Sequence, residues 1–201
     1  MPLLEDAKAL FQHVTGVHTP KPRELAALVH KREPATFRFR DDGETPNNRW
    51  PLILYRGAVK LDDAYDPAAI FETLFAANGW TGSWRDSMYG WLHYHSNTHE
   101  VLGLARGRLH ARFGGAKGRQ IRVKAGDVLV LPAGTGHFCE AASKDILIVG
   151  AYPGARKYDE CKPKDTDAKI RAAIRRVPRP RRDPVYGAKG PLFGAWRQVD
   201  L

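Results

Sequence analysis

The sequence predicts a mainly β protein of the sandwich or barrel class. Two observations carry that expectation. Between Trp84 and Tyr152, short runs of apolar and β-branched residues recur at close spacing, separated by glycine-containing turns. Ahead of them, Pro51-Leu52-Ile53-Leu54-Tyr55 reads as a buried strand, and Phe37-Arg38-Phe39-Arg40 alternates with the period of two expected of a strand.

Taken in order, residues 4 to 14 and 22 to 33 show helical spacing. Leu3, Ala7, Leu10 and Phe11 form one face, and Leu25, Leu28 and Val29 another. Thr19-Pro20-Lys21-Pro22 separates the two, with Pro22 suited to a first helical turn. Residues 1–35 are therefore expected to form an N-terminal helical extension. After the turn residues Asp41-Asp42-Gly43 and Pro46-Asn47-Asn48 and the strand at 51–55 comes one clear helix. Asp66 caps it, Pro67 opens it, Ile70, Phe71, Leu74 and Phe75 form its apolar face, and Gly79 ends it. Strands are expected at 84–95, 100–105, 108–113, 120–124, 127–131, 136–141 and 145–152, within a barrel spanning 36–158. Residues 166–177 read as a basic helix. The tail carries Pro178, Pro180, Pro184, Gly187, Gly190 and Pro191, which predict an extended segment wrapped over the body, so that 159–201 forms a third region.

Composition bounds the function. The chain has 201 residues, 43% of them hydrophobic, enough for one full core. No run of 18 apolar residues occurs, so no membrane span is expected. The start, Met1 to Gln12, lacks a basic segment followed by an apolar one, so no signal peptide is expected either. Two cysteines, Cys139 and Cys161, form no CxxC pair, which suits a reducing cytoplasm. The net charge of +10 raises the question of an acidic partner. Arg171, Arg175, Arg176, Arg179, Arg181 and Arg182 cluster, but without a nucleic-acid motif or interleaved aromatics. A solvated basic face is the preferred reading over nucleic-acid binding.

The chemistry lies in His93-Tyr94-His95-Ser96-Asn97-Thr98-His99-Glu100 and in Pro132-Ala133-Gly134-Thr135-Gly136-His137, which hold four of the eight histidines. On a strand, Tyr89, Trp91, His93 and His95 share one face. Imidazole is largely unprotonated at neutral pH and binds first-row transition metals. His93, His95 and His137 with Glu100 offer three nitrogens and one oxygen, leaving open positions in an octahedral shell. The zinc-peptidase pattern His-Glu-x-x-His is absent, because Val101-Leu102-Gly103 follows His99-Glu100. Tyr89, Trp91 and Cys139 are candidates for pocket lining, weighed against ordinary core roles.

Residues 93–107, HYHSNTHEVLGLARG, resemble the first cupin motif, and residues 126–137, GDVLVLPAGTGH, the second. Ser87 stands where the first motif usually opens with Gly, and Ala141 where the second usually closes with Asn. Over about residues 36–192 the chain is most similar to the bacterial cupins of the YjlB type, through Asp41-Asp42-Gly43, Pro46-Asn47-Asn48, IVGAYPG and Asp183-Pro184-Val185-Tyr186-Gly187. The resemblance implies a double-stranded β-helix, or jelly-roll barrel, and a homodimer. It also implies a divalent transition metal (Mn, Fe, Ni, Zn or Co) on His93, His95, Glu100 and His137, but no reaction. His99 is the reserve ligand. Adjacent strand residues point to opposite faces, so His99 and Glu100 are not both expected to bind, and the six residues from Glu100 to Gly107 favour Glu100. The function expected is a metal-dependent oxygenase or isomerase acting on a small polar molecule. The alternatives are a non-catalytic small-molecule sensor and, last, a basic nucleic-acid-binding accessory protein.

Overall fold

A computed structural model describes residues 18–154 and 157–197. The helix expected at 4–14 lies outside the described residues. The one expected at 22–33 is much shorter. A 3-10 turn over Pro22–Glu24 leads into the single-turn helix α1, Leu25–Leu28. Val29 is already extended and bridges Val59. Leu25 and Leu28 still enter the main core, so the apolar periodicity was a burial signal that one turn satisfies.

The strands are β1 Ala35–Phe37, β2 Leu52–Tyr55, β3 Trp80–Asp86, β4 Glu100–Arg106, β5 Arg108–Phe113, β6 Arg119–Lys124, β7 Val128–Leu131, β8 His137–Ala142 and β9 Leu147–Pro153. All pair antiparallel, in a six-stranded sheet of order β1-β2-β7-β4-β9-β3 and a three-stranded sheet of order β6-β5-β8. The protein is thus mainly β, with a few short helices. The strand expected at 84–95 is a correction: β3 begins at Trp80 and ends at Asp86. The following chain crosses to the small sheet, where the Cys139 amide donates to the Tyr89 carbonyl (2.8 Å) and His93 pairs with His137.

The large sheet is covered on both faces. Leu52 and Leu54, Leu102 and Leu104, Leu129 and Leu131, and Ile148 point into the barrel, where they meet Leu109, Ala111, Phe113, Ile121 and Val123 of the small sheet. The intervening Ile53, Tyr55, Val101, Ala105, Val128, Val130, Val149 and Ala151 point outward. There they meet α2, Pro67–Ala77, which buries Ile70, Phe71, Leu74 and Phe75. Two buried faces explain why VLVL and LILY are apolar throughout. The α2 cap is as expected, with the Asp66 carboxylate accepting from the Ala68 amide (3.0 Å) and Gly79 at φ 77° just past the end.

The C-terminal region holds α3, Ala168–Arg176, capped by Asp167, and α4, Leu192–Ala195. The tail does wrap the body. Asn78 and Trp80 donate to the carbonyls of Pro184 and Arg182, and Trp196 is fully buried, stacked on Trp50 at 5.2 Å and 2°. Two of the clustered arginines serve this packing. Arg171 pairs with Asp41 and donates to the Gly43 carbonyl, and Arg179 donates to the Trp196 carbonyl and lies over Phe193. No helix among the described residues is long and apolar enough to cross a membrane.

One close approach links fold to site. A Cβ on Gly150 of β9 would lie 2.1 Å from the Trp84 ring. Gly150→Ala will therefore push the indole aside and cost about 1–3 kcal/mol, read as a lower thermal midpoint and altered tryptophan emission. An unchanged midpoint would contradict this packing.

Candidate metal centre

The His93 and His137 backbones form a narrow antiparallel pair, with amide-to-carbonyl distances of 3.3 and 2.9 Å. That pairing brings the two imidazoles to a centroid separation of 4.2 Å. The turn before His137 is held by the Thr135 amide donating to the Pro132 carbonyl and the Gly134 amide donating to the His95 carbonyl (2.7 Å). Gly134 has φ 83°, and a Cβ there would meet the Asn47 carbonyl at 2.6 Å, so glycine is required at this point of the Pro-x-Gly segment. Glu100 opens β4 on the face it shares with Leu102 and Leu104, and its side chain enters the barrel.

Each of the three histidines is oriented from behind. Nδ1 of His93 donates to the Trp91 carbonyl (3.1 Å), Nδ1 of His137 to the Thr135 carbonyl (2.9 Å), and Nδ1 of His95 to the Asp159 carbonyl. A carbonyl only accepts, so each Nδ1 carries a proton, and in each neutral ring Nε2 is then a lone pair aimed inward. The nitrogens available as ligands lie within 4.8 Å of one another. Nε2 of His95 and of His137 lie 3.5 and 3.4 Å from the two Glu100 carboxylate oxygens. Two donors bound at right angles about 2.1 Å from one ion sit about 3.0 Å apart, so small side-chain shifts would close this set around a cation.

The electrostatics of the cluster centre on Glu100. Glu100 is buried, and its Oε2 has no hydrogen-bond partner. Burial pushes the Glu100 carboxyl up, but the neighbouring His95 charge and hydrogen bond outweigh it and bring it down to about 2. Burial, then the His93 charge, takes His137 down to about 3, and burial also lowers His93. Burial opposes charge on His95 too, but Glu100 outweighs it and the net direction is up. The cluster therefore holds one carboxylate and at least two neutral imidazoles, a donor set that suits a divalent transition metal.

His99 lies outside this cluster. Its Nδ1 accepts from the Ala133 amide (2.9 Å), its Nε2 donates to the Pro178 carbonyl (3.1 Å), and its ring sits between Trp50 and Trp196 at 5.7 and 4.8 Å. Both nitrogens are engaged away from the barrel interior.

The cluster floors a cavity of about 600 Å³, open mouth included. Tyr89 is in its wall; Trp91 and Cys139 are not. Trp91 is half exposed, stacks on Tyr89 and donates to Glu160 (3.2 Å), while Cys139 packs beside the inner core. The Trp91 displacement follows from the irregular backbone at 87–92, which breaks the period of two. Sequence reasoning missed Trp84, Tyr152 and Tyr158. The Tyr152 hydroxyl donates to Glu100 Oε1 (3.1 Å) and accepts from the Trp84 indole (2.8 Å). Tyr158 stacks on Tyr152 at 4.8 Å. The sole sequence signal for Tyr152 was its place at the end of an inward-facing strand.

The family model described as Cupin matches residues 86–157. Across 83% of this chain and 98% of its own length, the Bacillus subtilis (strain 168) "Uncharacterized protein YjlB" is 38% identical over 169 residues. The chain is a cupin of the YjlB type. Solved structures similar to this cupin include an acireductone dioxygenase from Bacillus anthracis with a cadmium ion in its active centre, at 16% identity, 49% of this chain, 68% of that chain and TM-score 0.34. A mutant of Bacillus subtilis oxalate decarboxylase follows at 19%, 56%, 28% and 0.35, and procruciferin, an 11S globulin from Brassica napus, at 19%, 40%, 21% and 0.32. The cupin spans little more than a quarter, or less, of the last two chains.

Proposed function

We propose that this cupin is a metal-dependent enzyme of the oxygenase or isomerase class acting on a small molecule, with His93, His95, Glu100 and His137 as the metal ligands. One observation carries the reading: three imidazoles whose ligand nitrogens lie within 4.8 Å of one another stand beside an unpartnered, buried Glu100 oxygen beneath an open cavity. A divalent transition ion held there would supply a Lewis acid or a site for dioxygen. The chain's own contribution is to fix the three imidazole tautomers through backbone carbonyls and to exclude bulk water with the surrounding aromatic wall. A homodimer in the reducing cytoplasm is the setting we propose, the latter because Cys139 and Cys161 are unbridged.

Elemental analysis of protein purified without added metal tests the proposal. Wild type is expected to carry close to one equivalent and His95→Ala with His137→Ala almost none. Equal, near-zero metal in both, even after incubation with manganese, iron, nickel, zinc and cobalt, would sink it. A protein that binds metal and is stabilised by a ligand without ever turning it over would be a sensor instead.

Two further variants divide the roles. His99→Asn is expected to keep full metal content but lower stability by about 1–3 kcal/mol, since the Pro178 carbonyl and the Trp50 and Trp196 rings lose a partner. Loss of metal with the fold intact would return His99 to the ligand set. Tyr152→Phe should weaken metal binding by roughly tenfold, because the hydroxyl that orients Glu100 is gone. An unchanged metal titration would mean that this hydrogen bond does not matter to the site.

A further inference from the structure

Among the described residues three large hydrophobic side chains are exposed: Tyr89, Trp91 and Tyr158. Two of them line the histidine–glutamate cavity, and Trp91 stacks on one of the two. Tyr89 and Tyr158 stand in its wall, and each belongs to a stacked pair, Tyr89 on Trp91 at 4.2 Å and 12°, Tyr158 on Tyr152 at 4.8 Å and 25°. The Trp91 indole donates to Glu160, which ties one side of the mouth to the segment that carries Tyr158. Exposed aromatic area is unfavourable in water, and its concentration at one opening marks a surface that a ligand covers.

The charges in the wall narrow the ligand. The guanidinium of Arg85 is held between Asp66 (2.6 Å) and Glu72 (2.7 Å), so its charge is compensated outside the cavity. The other charged groups among the described wall residues, histidines aside, are Asp86 and Glu100. Trp84, Met88 and Leu102 add apolar surface to a wall that also carries Ser87 and the histidines. Such a wall offers ring faces rather than cations, which disfavours the sugar acids and aliphatic polyacids that a polar substrate would suggest.

We propose that this mouth binds the planar aromatic ring of an oxygen-bearing small molecule, with Tyr89 and Tyr158 flanking the ring, Trp91 backing Tyr89, and the oxygen substituents directed toward the histidines. The inference rests on the metal-site reading for the position of the oxygens. It narrows the small molecule of that reading to an aromatic one.

Two probes that present the same chelating group on a six-membered ring, one planar and aromatic and one saturated, test it: benzohydroxamate and cyclohexanecarbohydroxamate. Each is titrated calorimetrically into zinc-loaded protein whose zinc content has been measured. The aromatic probe is expected to bind roughly three- to tenfold more tightly. That preference should fall to near parity in Trp91→Leu and in Tyr158→Leu, and survive in Tyr158→Phe, with zinc content unchanged throughout. Both leucine variants sit at exposed positions, so folding is checked rather than feared. Parity between the probes in wild type overturns this proposal and leaves the metal reading standing. A preference untouched by both leucine variants overturns it too. So does a leucine variant that turns a dimer into a monomer without altering the preference, since the rim is then a contact between copies of this chain. Failure of wild type to take up any of manganese, iron, nickel, zinc and cobalt overturns both readings.

Discussion

Replacing Glu100 with glutamine will lower the affinity for a divalent transition metal by roughly a hundredfold or more. The substitution keeps size and shape but removes the one negative charge in a pocket of three imidazoles. The amide can still accept at one atom. At the other it presents N–H groups to the Nε2 atom now 3.4 or 3.5 Å away, a nitrogen that has to keep its lone pair for the metal. The apo protein should tolerate the change, because that amide can donate to an imidazole that otherwise faces a lone pair. Metal titration and thermal unfolding, measured on the same samples, separate the two effects. Wild-type affinity in Glu100→Gln would remove Glu100 from the ligand set and leave the three histidines alone.

The second large effect lies far from metal chemistry. Asp183 is completely buried and accepts from the Tyr55 hydroxyl and from the amides of Val185, Tyr186 and Leu192. The Gly190 backbone packs tightly against its side chain, where a Cβ would come within 2.2 Å. Asp183→Ala strands four donors at once and opens a gap. It should cost about 4 kcal/mol, or roughly 10 °C in the thermal midpoint of a chain this long. Asp183→Asn should cost about half as much. Its remaining oxygen can serve Val185 and Tyr186, while its amide faces the Leu192 donor and forces the Tyr55 hydroxyl to turn. Metal content should be unchanged in both, since Asp183 holds the tail to the outer face of the large sheet. Equal stability of the alanine variant and wild type would show that the tail is not anchored there.

These two carboxylates show how differently sequence and structure contribute. Glu100 was legible as a candidate because strand alternation puts it on the face opposite His99, and because His93, His95 and His137 stand at telling distances along the chain. Asp183 was visible merely as part of a Pro- and Gly-rich tail. Its four partners come from β2, the 183–187 turn and the start of α4, a combination no local pattern reports. The strands from β4 to β9 were legible to within one or two residues, since each is bounded by a turn that glycine or charge marks. The α2 helix was legible from its cap, its face and its stop. The long helix at 22–33 and the strand at 84–95 were not, because burial of one apolar face satisfies the same periodicity with a single turn or an irregular loop.

By itself, then, the sequence determined the barrel class, the apolar strands covered on both faces, and the histidines and glutamate worth examining. Those features follow from short-range rules, the period of two and the chemistry of imidazole and carboxylate. Tertiary structure alone decided that each Nδ1 is tied to a carbonyl, that Tyr152 holds Glu100, and that Tyr89 and Tyr158 line the cavity with Trp91 stacked on Tyr89 while Cys139 stays in the core. Those depend on which strands pair across long loops, and the free energy that selects the pairing belongs to the whole core rather than to any segment of it.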